Sequence, residues 1–127
     1  MATLFTKIIQ GELPSYKVYE DELHFAFLSI EPLTEGHTLL IPKKETATWT
    51  DLTADEAKEI FSVALMLSQK LKTTFEVPRV ALIVAGFEVP HTHLHLIPCH
   101  SEKDIDFALA KRAEPASLER IHKLIIP

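Results

Sequence analysis

Residues 91–98 read HTHLHLIP, which places His91, His93 and His95 at alternate positions and ends the run close to a proline. If this stretch is a β-strand, its side chains alternate between two faces, so the three histidines share one face and the leucines between them share the other. The leucine face is typical of a strand that packs on a hydrophobic core. The histidine face predicts a polar site, and its chemistry is the question that the rest of the sequence has to answer.

Three interpretations of the histidines are open. Simple packing would bury three imidazoles, each of which needs hydrogen-bond partners. A metal site is a second interpretation, but on a straight strand the Cα atoms of His91 and His95 lie about 13 Å apart, so two of the three would need a further ligand such as His37. The third is attack on a phosphoryl group, with His93 as nucleophile and its neighbours stabilising the negative charge.

The bulk composition predicts one globular domain over residues 1–127, with residues 99–127 as a tail that includes a short helix. The formal charge of −5 weighs against binding to nucleic acid or to an anionic membrane. Cys99 is the single cysteine of the chain, which excludes an internal disulfide and favours a reducing, cytoplasmic setting. No run approaches the roughly 18 apolar residues of a membrane span, and no signal peptide is recognisable.

The order of elements predicts an α+β fold. SYKVYED and LHFAFLSI form a predicted hairpin, HTLLIP a third strand, RVALIVAG a fourth and HTHLHLIP a fifth. The fourth is so continuously apolar that both of its faces are expected to be covered. One long helix is predicted to begin after Thr53, where Glu56 completes a capping box, and to end near residues 75–78.

Two segments resemble the histidine triad (HIT) superfamily, in particular its Hint branch. AGFEVPHTHLHLIP, residues 85–98, is similar to the family signature, and LFTKIIQGELPSYKVYEDELHFAFLSIEPLTEGHTLLIPKK, residues 4–44, is similar to its N-terminal half. The resemblance implies a five-stranded antiparallel sheet with one long helix and short terminal helices, and usually a homodimer. It also implies a hydrolase or transferase that attacks the α-phosphate of a nucleotide and forms a covalent nucleotidyl-histidine intermediate.

The resemblance also assigns roles to residues. His93 is the implied nucleophile, and His91 and His95 are its flanking partners. His37 is expected to line the same site. Because the transferase branch has glutamine at the position of His95, hydrolase chemistry is favoured. An apolar slot for the base is expected from a further set of residues, each of which could instead be plain core: Phe5, Ile8, Leu13, Phe27 and Ile30.

Four positions depart from the family pattern. Ser29 stands where many relatives have an aspartate that binds the ribose hydroxyls, and Val80 stands in place of an asparagine that commonly helps hold phosphate. Phe87 and Glu88 replace glutamine and serine in the loop before the histidines. Glu88 either faces solvent or contacts the leaving group and selects cationic amines.

The leading hypothesis is a nucleotide phosphohydrolase that acts on purine nucleoside phosphoramidates, adenylylated amines or dinucleoside polyphosphates without a cofactor. A nucleotide-binding module with little turnover is an alternative, as is a metal-dependent enzyme built on His91, His93 and His37. Some family members hold a structural zinc through paired cysteines near the N-terminus. Thr3 and Thr6 flank the corresponding segment here, so no such zinc site is expected.

Overall fold

The computed structural model describes residues 2–127. Five strands form one sheet in the order β1-β2-β3-β5-β4, and every neighbouring pair is antiparallel. The strands are β1 (Lys17–Glu20), β2 (His24–Leu28), β3 (Thr38–Pro42), β4 (Arg79–Ile83) and β5 (Leu94–Cys99). The helices are α1 (Leu4–Ile9), α2 (Ala54–Phe75) and α3 (Pro115–Ile125), with short 3₁₀ turns at Trp49–Asp51, Glu102–Ile105 and Phe107–Leu109. The predicted α+β fold is confirmed.

The long helix α2 begins as its sequence predicts. The Thr53 hydroxyl accepts the backbone N–H of Glu56 at 3.1 Å, and the Glu56 carboxylate accepts the backbone N–H of Thr53 at 2.9 Å. These two bonds satisfy donors that the helix itself leaves unpaired. The buried stripe of the helix contains Ile60, Ala64, Leu67 and Leu71. The predicted capping box is therefore confirmed.

The two faces of the sheet have different cores. The larger core packs α2 and α3 against alternate strand residues such as Leu28, Leu40 and Leu94. The opposite face carries a smaller apolar cluster, which contains Phe5 of α1 together with Phe25, Phe27, Leu39 and Ile41. The short helix α1 therefore lies on the face that α2 leaves open, and the tail helix α3 packs on the body of the chain.

The strand β4 differs from its prediction. It is the outermost strand beside β5, and none of its residues is fully buried. Val80 packs against the larger core, but Leu82, two residues further on the same face, is 39% exposed. The expectation that both faces of this strand are covered is wrong, because the smaller cluster on the other face is built from α1, β2 and β3 and does not extend to the sheet edge.

The strand β5 starts three residues later than predicted. His91, Thr92 and His93 precede it, and the carbonyl of Thr46 holds this segment by accepting both the backbone N–H of Thr92, at 2.7 Å, and its hydroxyl, at 2.9 Å. Two of the three alternating histidines therefore sit on an anchored loop, and His95 sits on the strand. Within residues 2–127, no helix is both long enough and apolar enough to cross a membrane.

Candidate active site

His93 is held in one tautomer by its own chain. Its Nδ1 lies 2.7 Å from the main-chain carbonyl oxygen of His91. A carbonyl can only accept a hydrogen bond, so Nδ1 carries the proton and Nε2 of the neutral ring carries the lone pair. No group in the described part of the chain forms a hydrogen bond with this Nε2, and the side chain is 6% exposed. His93 thus offers a free, nucleophilic nitrogen within an otherwise buried ring.

His37 and His95 form a second ordered pair. The backbone N–H of Leu33 donates to Nδ1 of His37 at 3.0 Å, so the proton of neutral His37 is on Nε2. That Nε2 lies 3.0 Å from Nδ1 of His95, which must accept, and His95 therefore carries its own proton on Nε2. The ring centroids of His93 and His95 lie 5.0 Å apart. A nitrogen with a lone pair and a nitrogen with a proton are thus available on adjacent rings.

Burial keeps this pair uncharged. It lowers the pKa of His37 to about 3, with repulsion from His95 adding to the effect. It likewise lowers the pKa of His95 to about 4, with repulsion from His93 adding. At neutral pH the proton positions derived from the hydrogen bonds are therefore the populated ones.

His91 is engaged by protein at both ring nitrogens. Nε2 lies 2.8 Å from the carbonyl oxygen of Pro42, and Nδ1 lies 2.8 Å from the hydroxyl of Thr3. The ring is completely buried. Burial lowers the pKa of His91, although the Pro42 carbonyl and Glu45 oppose that effect. The expected hydrogen bond from His91 to a phosphate has no free ring nitrogen to make it, and His91 reaches His93 through its carbonyl group instead.

The apolar residues expected near the base are brought together in part. Phe5 contacts His93 edge-on, with ring centroids 5.0 Å apart, and also contacts Phe27 at 5.6 Å. Ile8 packs against the same cluster. Leu13 and Ile30 are not part of it, and Ile30 is 45% exposed. Phe5 and Phe27 are each 5% exposed, so both are core residues, and Phe5 also borders the ring of His93.

The four departures from the family pattern fall in different places. The Ser29 hydroxyl accepts the backbone N–H of Glu31 at 3.2 Å, and Val80 packs against the larger core on the opposite side of the sheet from Phe5. Phe87 is 97% exposed, and Glu88 is exposed beside it. For Glu88 this agrees with the interpretation of a solvated loop residue.

Phe107 is a site residue that the sequence interpretation missed. Its ring centroid lies 5.0 Å from that of His95 and 6.5 Å from that of His37, and both contacts are edge-on. Phe107 belongs to a short 3₁₀ turn in the tail, where no periodicity or motif marks it. Thr3 and Glu45 are further neighbours of His91 that no sequence pattern indicates, because both are distant from it along the chain.

The histidines do not assemble into a metal site. Across residues 2–127, no three His, Cys, Asp or Glu side chains converge in a way that could hold a metal ion. His37 pairs with His95, and the ring of His91 is saturated by Pro42 and Thr3. The set of His91, His93 and His37 that a metal-dependent enzyme would need is therefore not brought together.

Comparison with known proteins identifies the family. The family model described as HIT domain matches residues 10–102. The adenosine 5′-monophosphoramidase HNT1 of Saccharomyces cerevisiae is 39% identical over 103 residues, which cover 80% of this chain and 65% of HNT1. An uncharacterized HIT-like protein of Borreliella burgdorferi is 39% identical over 123 residues, covering 91% of this chain and 86% of that protein.

The fold agrees with these matches. The crystal structure of a hypothetical histidine triad nucleotide-binding protein from Sulfolobus tokodaii matches with a TM-score of 0.84 at 32% identity, covering 95% of this chain and 87% of that one. The alternating histidines, the five-stranded sheet and the family match over most of the chain thus lead to one conclusion. The chain belongs to the HIT family.

Proposed function

We propose that this protein is a nucleotide phosphohydrolase that cleaves purine nucleoside phosphoramidates at the α-phosphate through a covalent nucleotidyl-His93 intermediate. Adenylylated amines and dinucleoside polyphosphates share that phosphate and are included in the proposed substrate class. One observation carries the proposal: the bond from His93 Nδ1 to the His91 carbonyl leaves the Nε2 lone pair free beside the Nε2 proton of His95.

The proposed reaction has two displacements. In the first, Nε2 of His93 forms a bond to the α-phosphorus as the bond from phosphorus to the amine nitrogen breaks. In the second, water attacks the phosphorus and the bond to Nε2 breaks. The departing amine takes up a proton from solvent in the first step, and the attacking water returns one to solvent in the second, so over the cycle one water is consumed and the products are the nucleoside monophosphate and the free amine.

His95 is the proposed hydrogen-bond donor to the phosphate. Its Nε2 proton suits a non-bridging oxygen, because the non-bridging oxygens share the negative charge of the transition state. His37 fixes this orientation by donating to the other nitrogen of His95 at 3.0 Å. Preorganised donors in a site of low polarity stabilise such charge without reorganising during the reaction.

The nucleoside is proposed to bind against the apolar wall of Phe5, Ile8 and Phe27. These residues lie on the same face of the sheet as His93, and Phe5 touches its ring. Two relatives support this class of ligand: HNT1 is an adenosine 5′-monophosphoramidase, and the Sulfolobus tokodaii protein is described as nucleotide-binding. Ser29 is proposed to contact the ribose with a single hydroxyl rather than a carboxylate.

Trapping the intermediate tests the proposal. The protein is mixed briefly with adenosine phosphoramidate labelled at phosphorus, quenched in base and digested, and the labelled peptide is identified. We expect label on His93, and none after His93→Ala. His100→Ala is the matched control, because His100 is exposed and lies outside the cluster, and it should label like the unmodified protein. Label that survives His93→Ala would overturn the assignment.

A substrate panel separates the enzyme from a binding module. Adenosine and guanosine phosphoramidates and dinucleoside polyphosphates are assayed for turnover, and AMP binding is measured by calorimetry. Turnover of the phosphoramidates that is lost in His93→Ala supports the hydrolase. Tight AMP binding with negligible turnover of every substrate would favour the nucleotide-binding module.

The proposed working form is a homodimer in the cytoplasm, with residues 1–127 of each chain as one domain. The edge strand β4 has a free side, and α2 exposes Phe61, Leu65 and Met66, the last two 61% and 45% exposed. Sedimentation analysis of the unmodified protein and of Leu65→Lys tests this directly. We expect a dimer that dissociates in the variant, whereas a monomeric unmodified protein would refute the dimer.

A further inference from the structure

A surface carboxylate is connected to the buried nucleophile by an unbroken set of hydrogen bonds. Oε1 of Glu45 accepts the backbone N–H of Thr3 at 2.7 Å and the hydroxyl of Thr6 at 2.8 Å. Both threonines are at the start of α1, and the Thr3 hydroxyl caps that helix by accepting the N–H of Thr6 at 3.1 Å. Glu45 therefore holds the first turn of α1 against the loop that follows β3.

The proton of the Thr3 hydroxyl is directed to His91. The acceptors within hydrogen-bond geometry are Nδ1 of His91, at 2.8 Å, and the Thr6 hydroxyl oxygen, at 3.2 Å, with a weaker interaction to the Glu45 carboxylate. His91 donates from Nε2 to the Pro42 carbonyl, so its Nδ1 carries a lone pair and requires a donor in this buried place. The distance to His91 Nδ1 is the shorter one, and this buried nitrogen requires a donor. Both observations indicate that the Thr3 hydroxyl donates to His91.

The anchored ring of His91 in turn determines which nitrogen of His93 carries the proton. With both ring nitrogens bonded, His91 has one position, and its carbonyl oxygen stays 2.7 Å from Nδ1 of His93. The same helix carries Phe5, whose ring lies 5.0 Å from that of His93 and 5.8 Å from that of His91. Movement of the first turn of α1 would disturb the proton position and the packing of the nucleophile together.

We propose that Glu45 is a positioning residue, which acts through Thr3 to fix the His91 ring and so keeps the His91 carbonyl in the place where it holds the proton of His93 on Nδ1 and leaves Nε2 free for attack. The catalytic consequence rests on the proposed hydrolase function, but the position of His91 does not. Glu45 is exposed and forms no hydrogen bond to any of the three histidines. Its charge attracts His91 directly, and its hydrogen bonds reach His91 only through Thr3 and Thr6.

Histidine ¹⁵N spectra test the transmitted effect without turnover. Resonances of His91 should report a protonated Nε2 and an unprotonated, hydrogen-bonded Nδ1. Thr3→Val should shift the Nδ1 resonance, Thr3→Ser should restore it, and Glu45→Ala should shift it in the same direction. Glu56→Ala is the matched control, because Glu56 is also a surface carboxylate that caps a helix, and it should leave the His91 spectrum unchanged. An unchanged His91 spectrum in Glu45→Ala overturns the proposal.

Kinetics with adenosine phosphoramidate test the consequence. Glu45→Ala and Thr3→Val should each lower kcat about fivefold, the equivalent of one lost hydrogen bond, with KM within about twofold, and Thr3→Ser should recover the rate.

Unchanged kcat in an active protein overturns the positioning role. If the unmodified protein shows no turnover, the proposed function fails, and the His91 spectra still decide whether Glu45 positions the His91 ring. If Thr3→Val does not fold, Glu45→Ala with Glu56→Ala as its control provides the same comparison.

Discussion

Nε2 of His37 lies 3.0 Å from Nδ1 of His95, and the direction of the bond is determined by a third group, the backbone N–H of Leu33. Since Leu33 donates to His37, His37 must donate to His95, and His95 is left with its proton on the nitrogen available to a ligand. His37 is therefore more than a lining residue. It decides whether His95 presents a donor or an acceptor.

His37→Phe should lower both activity and stability. An aromatic ring remains, but the N–H of Leu33 and Nδ1 of His95 lose their partner, which should cost about 2–4 kcal/mol in free energy of unfolding. His95 can then move its proton to Nδ1 and turn a lone pair toward the phosphate. We expect kcat for adenosine phosphoramidate to fall at least about tenfold, measured alongside urea unfolding.

His24→Phe is the matched control for that variant. His24 is 6% exposed and bonded to Asp21 at 3.0 Å, so its loss should also cost stability, but it lies outside the histidine cluster. Its kcat should stay close to that of the unmodified protein. Equal loss of kcat in both variants would mean that His37 acts only through stability.

The buried neutral histidines should make the protein sensitive to mild acid. Unfolded histidine titrates near 6.5, whereas folded His37 and His95 titrate near 3 and 4, so below pH 6.5 the unfolded chain binds more protons. Stability is thus fully present above 6.5 and falls as the pH falls toward the folded pKa values. For each of the two histidines, the free energy of unfolding should fall by about 1.4 kcal/mol per pH unit between pH 6.5 and its folded pKa.

Urea unfolding at pH 7.5, 6 and 5 measures this slope. His37→Phe removes one of the titrating groups, so its free energy of unfolding should depend less steeply on pH, by about one proton. An identical slope in the variant would show that His37 is not held neutral in the folded state.

Local patterns predicted most of the fold because they describe contacts between near neighbours. The capping box of Thr53 and Glu56 spans four residues, and the apolar stripe of α2 repeats about once per helical turn. The pairing of β1 with β2 follows a tight hairpin. In each case, the residues that make the contact are visible in one window of sequence.

The missed parts of the site depend on distant contacts. Thr3 and His91 are 88 positions apart, and only the packing of α1 on the sheet brings them together. Phe107 reaches His95 from an irregular turn of the tail, which no periodicity marks. The prediction that both faces of β4 are buried is wrong for a related reason. An apolar run shows that a strand can be buried, but it does not show whether the apolar cluster on either face of the sheet extends far enough to bury it.

Gly36→Ala should destabilise the segment that presents His37. Gly36 has a φ of +89°, which L side chains rarely adopt, and an added Cβ would overlap the ring of Phe75 in α2. Gly86→Ala is the matched control, because Gly86 has a φ of +81° but open space around it. We expect Gly36→Ala to cost about 1–3 kcal/mol more than Gly86→Ala in urea unfolding, through the clash alone. Equal losses would show that Phe75 moves aside freely.

Phe107→Ala should raise the pKa of His95. Burial is the main cause of its low value of about 4, and the ring of Phe107 lies 5.0 Å from the imidazole. Removing that ring admits water, which favours the charged form, so the pKa should move up by about one unit toward 6.5. Histidine NMR titration measures the shift directly. As the pH is lowered, activity in the variant should begin to fall at a higher pH, because protonated His95 can no longer accept from His37.

Leu109→Ala, which truncates a 57% exposed residue of the same turn, should leave the titration unchanged. If His95 still titrates near 4 in Phe107→Ala, its burial comes from the strands and from His37, and Phe107 is only a neighbour.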